Sequence, residues 1–378
     1  MSNSFNPELI PNGLLKSWVE SRRILETPVG FDLAVGISAI GACLRRNVWI
    51  DQIQFKVYPN ISVLLVGPSG IGKDTAINGV ASLLQGNVGV IGGRTAETIV
   101  TTMMGLGDPA CAVLLAKELS EFFGPKEYQQ GMLETITELL STGDSYNASL
   151  KSNPNAIVQR PTLTVMGGST KDWLHKAMPP EAMTGGFYPR FLIVYEEQGK
   201  RHVPWVEFDT NENELRAAEA ARNSFFQGLQ SVVMANFGKM APSDSAKEIY
   251  RQFYVERRQY FSPNSEAYAH RCRDTVLRIA MVSAVSRMSS VIEDTDMNFA
   301  VEVIKYVGKN LDNAMAPPTL HNRIAMDIIR MLPATRQFLF REMEKKYDMN
   351  QVKKAFDSLV VDTNRIYQKG NIFYLKED

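Results

Sequence analysis

The residues with the clearest chemistry are Val63–Thr75, Val-Leu-Leu-Val-Gly-Pro-Ser-Gly-Ile-Gly-Lys-Asp-Thr. An apolar run from Val63 to Val66 enters a glycine-rich turn (Gly67, Pro68, Ser69, Gly70, Ile71, Gly72), and Lys73 then opens a helix-compatible segment. Glycines at 67, 70 and 72 permit backbone angles that a side chain forbids. A loop of this kind turns its N–H groups, and the N-terminus of the next helix, toward the phosphates of a nucleotide. Lys73 is spaced to reach the outer phosphates. The expected ligands are ATP and Mg²⁺. The position after the lysine ordinarily offers a Ser or Thr hydroxyl to the metal. Here it is Asp74, and the hydroxyl comes one residue later, at Thr75. Asp74 could bind Mg²⁺ itself, since carboxylate oxygen suits a hard ion. It could equally weaken nucleotide binding by repelling phosphate.

Hydrolysis of a bound triphosphate also needs a strand that delivers carboxylates to the metal and the attacking water. Cys111–Leu115, followed by Ala116-Lys117-Glu118, is the candidate, with Glu118 polarising the water. The residue before it, where an Asp linked to Mg²⁺ is usual, is Lys117. Asp74 adds a carboxylate where the loop normally has none, and Lys117 removes one where it is usual, so the two departures can compensate. A further strand ends in Met166-Gly167-Gly168-Ser169-Thr170. Ser169 or Thr170 could sense the outermost phosphate, or simply cap the helix expected from Lys171. Gly185-Gly-Phe-Tyr-Pro-Arg-Phe191 leads into the last strand. Arg190, behind a Gly-Gly pair, could project toward a neighbouring subunit and stabilise charge on the transferring phosphoryl group. A local ion pair is the alternative.

These residues need a scaffold. Residues 58–198 alternate strand-like and helix-like segments, which predicts a three-layer α/β core. Strands are expected at Ser62–Val66, Val88–Ile91, Ala112–Leu115, Thr162–Met166 and Phe191–Tyr195. Helices are expected at Asp74–Leu84, Ala96–Met104, Tyr128–Leu140 and Lys171–Met178. An Asn-Pro-Asn turn at Asn153–Asn155 predicts a β-hairpin within Ser145–Gln159. Residues 1–57 read as helices at Leu14–Leu25 and Phe31–Leu44, followed by an extended segment. Residues 199–315 read as a helical lid of amphipathic segments, Glu212–Val233, Ser245–Tyr260, Ala267–Met288 and Met297–Met315. Beyond Ala316-Pro-Pro-Thr319, residues 320–378 give helices at Ile324–Met331, Arg336–Tyr347 and Met349–Val360. Arg365–Gln368, a turn at Lys369-Gly370-Asn371 and Ile372–Leu375 complete the element order of a winged helix.

Composition narrows the function classes. Of the 378 residues, 44% are hydrophobic and 22% charged, the profile of a soluble globular protein with room for more than one domain. Lys+Arg and Asp+Glu both number 41, so any nucleic-acid contact must come from local patches. Cys43, Cys111 and Cys272 lie far apart in apolar or helical contexts, which predicts reduced, buried thiols and a cytoplasmic protein. They form no metal-ligand cluster with the four histidines. Met-Ser-Asn-Ser-Phe has no signal-peptide layout, and the longest apolar runs are too short to cross a membrane.

Val63–Thr75, Glu118, the Gly-Gly-Ser-Thr strand end and Gly185–Phe191 occur in similar order in a phage- and plasmid-borne P-loop family of primase-helicase-like replication proteins. The chain resembles that family over residues 20–310. Arg190-Phe191 also looks like the arginine-finger segment of archaeal and eukaryotic minichromosome maintenance helicases, which place a hairpin before the sensor strand and a winged helix at the C-terminus. The resemblance implies an AAA+-like, ring-forming, hexameric, DNA-dependent ATPase. It implies that Lys151, on the hairpin, points into a central pore and grips single-stranded DNA. It further implies that Arg273 or Arg278 acts as a second sensor on the outermost phosphate. Arg278 sits amid Val276, Leu277, Ile279 and Ala280, so burial would demand an anionic partner. A structural ion pair is the alternative, as a solvated lysine is for Lys151.

At the C-terminus, Lys345-Lys346 and Lys353-Lys354 flank the entry to the third helix. In a helix-turn-helix variant the later helix enters the major groove and the wing touches the backbone, with lysines supplying phosphate contacts. Lys353, Lys354 and Lys369 are the expected contacts. Glu342, Glu344, Asp348 and Asp357 nearly offset them, and a protein-binding role is the alternative. The function expected is an ATP-driven DNA motor, a replicative helicase of a phage or mobile element, acting in the host cytoplasm with other replication proteins. A slowly hydrolysing initiator or helicase loader is the alternative, favoured by Lys117. A nucleotide kinase is a third reading. Gly-Pro-Ser-Gly-Ile-Gly-Lys resembles the guanylate kinase loop, and Gly-Lys-Asp-Thr the Gly-Lys-Gly-Thr of some nucleotide kinases. The long helical and basic C-terminal parts would serve no kinase purpose.

Overall fold

Strands of alternating polarity face water on one side. Val63, Leu64, Leu65 and Val66 have no such alternation, and every residue of β3 (Ser62–Val66) is buried. That pattern belongs to the middle of a parallel sheet covered on both faces. In a computed structural model of the chain, described over residues 4–92, 95–119, 126–141, 143–150, 153–177, 186–235, 237–262, 265–315, 320–362 and 366–375, β3 holds that place. Its partners are β4 (Gly89–Ile91), β5 (Cys111–Ala116), β8 (Thr162–Ser169) and β9 (Phe191–Tyr195). The five strands are all parallel, in the order β4-β5-β8-β3-β9. The chain leaves β3 for the far edge at β4, works back through β5 and β8, and closes with β9 on the other side of β3. The segments after β3, β5, β8 and β9 therefore gather at one edge of the sheet, where ligands of open α/β folds bind.

Helices α3 (Lys73–Leu84), α4 (Ala96–Gly105), α5 (Lys126–Leu139) and α6 (Lys171–Ala177) lie within a few residues of their expected bounds. So does the hairpin of β6 (Ser145–Ala148) and β7 (Ala156–Gln159). Ahead of them, α1 (Leu14–Ser21) ends where Arg22 leaves the helix to pair with Asp32. Then α2 (Val29–Leu44) is apolar nearly all round and buried from Gly30 to Leu44, as such a helix must be. It packs on α3, β3 and β9. Gly41 permits a close backbone approach, since a Cβ there would lie 2.4 Å from the Pro59 carbonyl oxygen.

The extended segment before β3 forms β1 (Val48–Asp51) and β2 (Lys56–Val57). These join two short strands the sequence does not announce, β10 (Gly238–Pro242) and β11 (Val291–Ile292), in the order β11-β10-β1-β2. Helices Glu212–Met234, Asp244–Glu256, Glu266–Ser286 and Asp294–Met315 follow the expected pattern. The first packs on α1 and the last on β9. One hydrophobic cluster runs from Phe5 to Ala314, and residues Met1–Met315 form one compact unit. The boundaries expected at 57 and 198 fall inside it. The helices expected as a lid contribute Phe225, Leu229, Val276 and Ile304 to that cluster.

Ala316–Asp378 is the second unit. Helices Leu320–Arg330, Arg336–Glu344 and Met349–Asp357 pack with a three-stranded sheet ordered β12 (Ala334–Thr335), β14 (Ile372–Leu375), β13 (Ile366–Lys369). Ile324, Ile328, Leu339, Val352, Phe356, Ile366 and Phe373 form its own core. Gly370 takes the left-handed conformation, at φ +62°, that turns β13 into β14. Among the described residues, no helix of either unit is long and apolar enough to cross a membrane.

Candidate functional site

The buried strand β3 delivers the chain to Gly67, whose N–H donates to the Ser169 carbonyl at 3.2 Å. Only glycine fits there, because a Cβ would lie 2.5 Å from the carbonyl oxygen of Glu196. Pro68, Ser69 and Gly70 are exposed. Gly70 (φ +82°) and Gly72 (φ +91°) take left-handed conformations that fold the loop back onto α3. Gly72 precedes α3 without a side-chain cap, so the first amides of that helix are not claimed by a capping side chain. Lys73 is 6% exposed, and its Nζ donates to the carbonyls of Gly67 (3.0 Å) and Pro68 (2.6 Å). Burial lowers its pKa, opposed by the carboxylates of Glu118 and Asp74. Asp74 and Thr75 are exposed on the first turn of α3. Their hard oxygen donors fit a Mg²⁺ held jointly with phosphate. Among the described residues no three His, Cys, Asp or Glu side chains group to hold a metal by themselves.

The ends of β5 and β8 close on this loop. Gly167 and Gly168 lie near the end of β8, beside the turn that follows β5. A Cβ on Gly168 would lie 2.5 Å from the Lys117 carbonyl and 3.6 Å from Lys73 Cβ. The glycine thus lets the turn bearing Glu118 pass beside Lys73. The Lys117 side chain is exposed. Ser169 is fully buried and its Oγ donates to the Thr170 carbonyl at 3.2 Å. Thr170 Oγ1 accepts from the Trp173 amide at 3.4 Å, which makes it the cap of α6. Next to them, Tyr195 donates to Glu197 at 2.6 Å, and the Lys171 ammonium lies over the Tyr195 ring at 4.9 Å. Sequence reasoning passed over this trio, although the register Val66↔Tyr195 brings it to the same edge.

Beside Gly70, Ile71, Gly72 and Thr75 opens a cavity of about 660 Å³, within the size range of small-molecule sites. Its other wall comes from Leu25, Glu26 and Thr27 and from the chain after β9, Gln198–Val206. Thr27 is 2% exposed, and its hydroxyl has no hydrogen-bond partner among the described residues. A buried ionic triad fixes this wall. Asp32, inside the apolar helix α2 and fully buried, takes Arg22 at 3.0 Å and Lys200 at 3.1 Å. Arg22 also donates to the Thr75 carbonyl in α3 at 2.8 Å, and Lys200 to the Arg22 carbonyl at 2.7 Å. The triad ties the N-terminal segment, the post-loop helix and the chain after β9 into one frame. Asp32 within an apolar run was the available signal for it.

Other candidate residues lie elsewhere. Phe191 pairs with Ser62 and Tyr195 with Val66, so Arg190 stands at the entry edge of the sheet and Gly67 at its exit. One five-residue strand separates them, six residue steps or about 20 Å. Arg190 does not project freely: it is half-buried and donates to the Gly186 carbonyl and to Ser141 Oγ (3.2 Å). Burial and the Arg271 guanidinium hold its pKa down, with Glu138 opposing. Arg278 does not join the Gly67–Thr75 loop. Its guanidinium donates to the Asn60 carbonyl at 2.6 Å, ahead of β3, and so belongs to Arg190's edge. The sequence could not reveal this, because helix spacing does not specify which sheet edge a residue reaches. Arg273 is exposed and pairs with Asp274 at 3.5 Å. Lys151 lies outside the described residues. Lys353 and Lys354 are exposed on the Met349–Asp357 helix, and Lys369 is exposed at the end of β13. No family model and no curated protein matches the chain.

Proposed function

We propose that the chain binds ATP with Mg²⁺ at the Gly67–Thr75 loop and, as a ring of copies, couples ATP hydrolysis to movement along DNA. The carrying observation is the loop itself: two left-handed glycines, an uncapped helix N-terminus and a buried lysine at the exit edge of a parallel sheet. That combination is an anion cradle. In this reading the fold is a P-loop core of the AAA+ kind, and the Ala316–Asp378 unit is a winged helix that contacts DNA through Lys353, Lys354 and Lys369. Lys73 and the loop amides hold the phosphates. Asp74 and Thr75 hold Mg²⁺, which neutralises phosphate charge when bound. Glu118, brought near Lys73 by Gly168, orients the attacking water. Arg190 cannot serve its own loop across the sheet, so in a ring it serves the loop of the next copy.

Binding of a fluorescent ATP analogue, with and without Mg²⁺, tests the first step. Lys73→Ala should abolish tight binding, and unchanged affinity would overturn the assignment. Particle size with ATP and single-stranded DNA tests the ring, and a monomer throughout would refute it. A second reading, a slowly hydrolysing initiator or loader, is favoured by Lys117, whose exposed ammonium stands where a metal-linked carboxylate is usual. A strand-displacement assay separates the two, since only the motor unwinds duplex in an ATP-dependent manner.

A further inference from the structure

We infer that a second cavity, at the entry edge of the sheet, is a phosphate site in which Arg190, Arg271 and Arg278 together receive one oxyanion group. The cavity measures about 240 Å³, and among the described residues the three arginines share its lining with Lys56 and one carboxylate, Asp274, while Glu138 acts on Arg190 from nearby. It is smaller than sites that take whole drug-sized ligands, a size that suits a phosphate group. Among the described residues, no ion pair joins any of the three guanidiniums to a carboxylate, and the ion pair of Asp274 is with Arg273. Protein carbonyls position two of the forks: Asn60 for Arg278, Gly186 for Arg190. A guanidinium has five donors, so most remain for a ligand. Burial lowers the pKa of Arg278, and Arg271 adds to it against Asp274. Arg190 is lowered in the same way, by burial and then by Arg271. Gathering like charges in a half-buried cavity is unfavourable until an anion fills it. Planar forks of this kind match phosphate oxygens bidentately.

The phosphate has two sources, the triphosphate of a second copy or free phosphate in solution. Only the first rests on the function proposed above. The probe is inorganic tripolyphosphate, titrated calorimetrically into Lys73→Ala protein, whose nucleotide loop is disabled. Binding should persist there and weaken about tenfold or more when Arg271→Ala is added. Arg271 is exposed, so that change leaves the fold intact, and a matching melting temperature verifies it. Affinity unchanged by Arg271→Ala, or no binding at all to Lys73→Ala protein, overturns the site. Mixing Lys73→Ala copies with Arg271→Ala copies then identifies the source. ATP turnover above the sum of the separate proteins assigns it to the neighbouring copy's nucleotide. Retained tripolyphosphate binding without that gain assigns it to free phosphate.

Discussion

Gly167 and Gly168 are neighbours in one buried strand, yet alanine should act on them in opposite ways. A Cβ on Gly168 would stand 2.5 Å from the Lys117 carbonyl oxygen. Carbon and oxygen in contact ordinarily keep about 3.3 Å, so the β5 turn must retreat by roughly 0.8 Å. The obstacle is backbone, which cannot swing aside as a side chain could. Overpacking of this kind costs about 1–3 kcal/mol. The same retreat carries Glu118 away from Lys73, and a displacement near 1 Å at a catalytic group can cost on the order of 100-fold in rate. A Cβ on Gly167 would meet Leu64 at 3.4 Å, Leu119 at 3.5 Å and the Ala116 carbonyl at 3.6 Å, which are ordinary contacts. Gly167→Ala should therefore be neutral or slightly stabilising, by up to about 1 kcal/mol through the unfolded chain. The assays are urea denaturation of both variants, ATP-analogue binding and ATP turnover. Gly168→Ala should lose stability and turnover while binding the analogue within a few-fold of the parent. Equal stability of the two variants would refute the close approach of β5 and β8.

Three further outcomes follow from buried groups. Asp32→Ala leaves Arg22 and Lys200 without their shared carboxylate and should cost about 3–5 kcal/mol in urea denaturation. Glu196 is buried and accepts from Tyr306 (2.6 Å) and Ser4 (3.4 Å). Burial raises its pKa above the ordinary 4.5, against the hydrogen bonds from Tyr306, Ser4 and Gly30. A raised folded pKa means the folded chain binds the proton more tightly, so this contribution is full below pH 4.5 and fades as pH rises through the folded value. Denaturation midpoints from pH 4.5 upward should show that slope in the parent and not in Glu196→Gln. Cys43, Cys111 and Cys272 are free and buried. Burial pushes the Cys43 and Cys272 thiols up to about 12 and raises Cys111 as well, so a thiol reagent at neutral pH should label none of them until the protein unfolds.

Where local chemistry decides an element, the sequence was readable. Apolar β3, the loop glycines and the amphipathic helices declare themselves over short windows, as does the hairpin at Ser145–Gln159. The left-handed turns at Gly70 and Gly72 are the ones the loop reading requires. What stayed hidden depends on distant pairing. β11 is only two residues long and β10 is bounded by Gly238 and Pro242, and each is held by a distant partner, β10 by β1 and β11 by β10. Arg278 reads as a candidate sensor in its helix, yet tertiary packing places it with Arg190 at the far edge. The cavity wall at Gln198–Val206 has no motif. It sits beside the loop because β9 is the neighbour of β3.

The Asp32 triad has a consequence for how small this molecule can become. The glycine-rich loop, Glu118, the Gly-Gly-Ser-Thr strand end and Arg190 all lie between residues 58 and 198, and a fragment of that span would look self-sufficient on paper. It would lack α2, the apolar cover of β3 and β9, and it would lack both Arg22 and the Lys200 that anchors the chain after β9. Trimming from either side thus removes support for the Thr75 turn before it removes any residue of the Gly67–Thr75 loop. A piece that keeps this pocket shaped must therefore reach at least from Arg22 to Lys200, a constraint on any recombination that would shuffle the loop as a cassette.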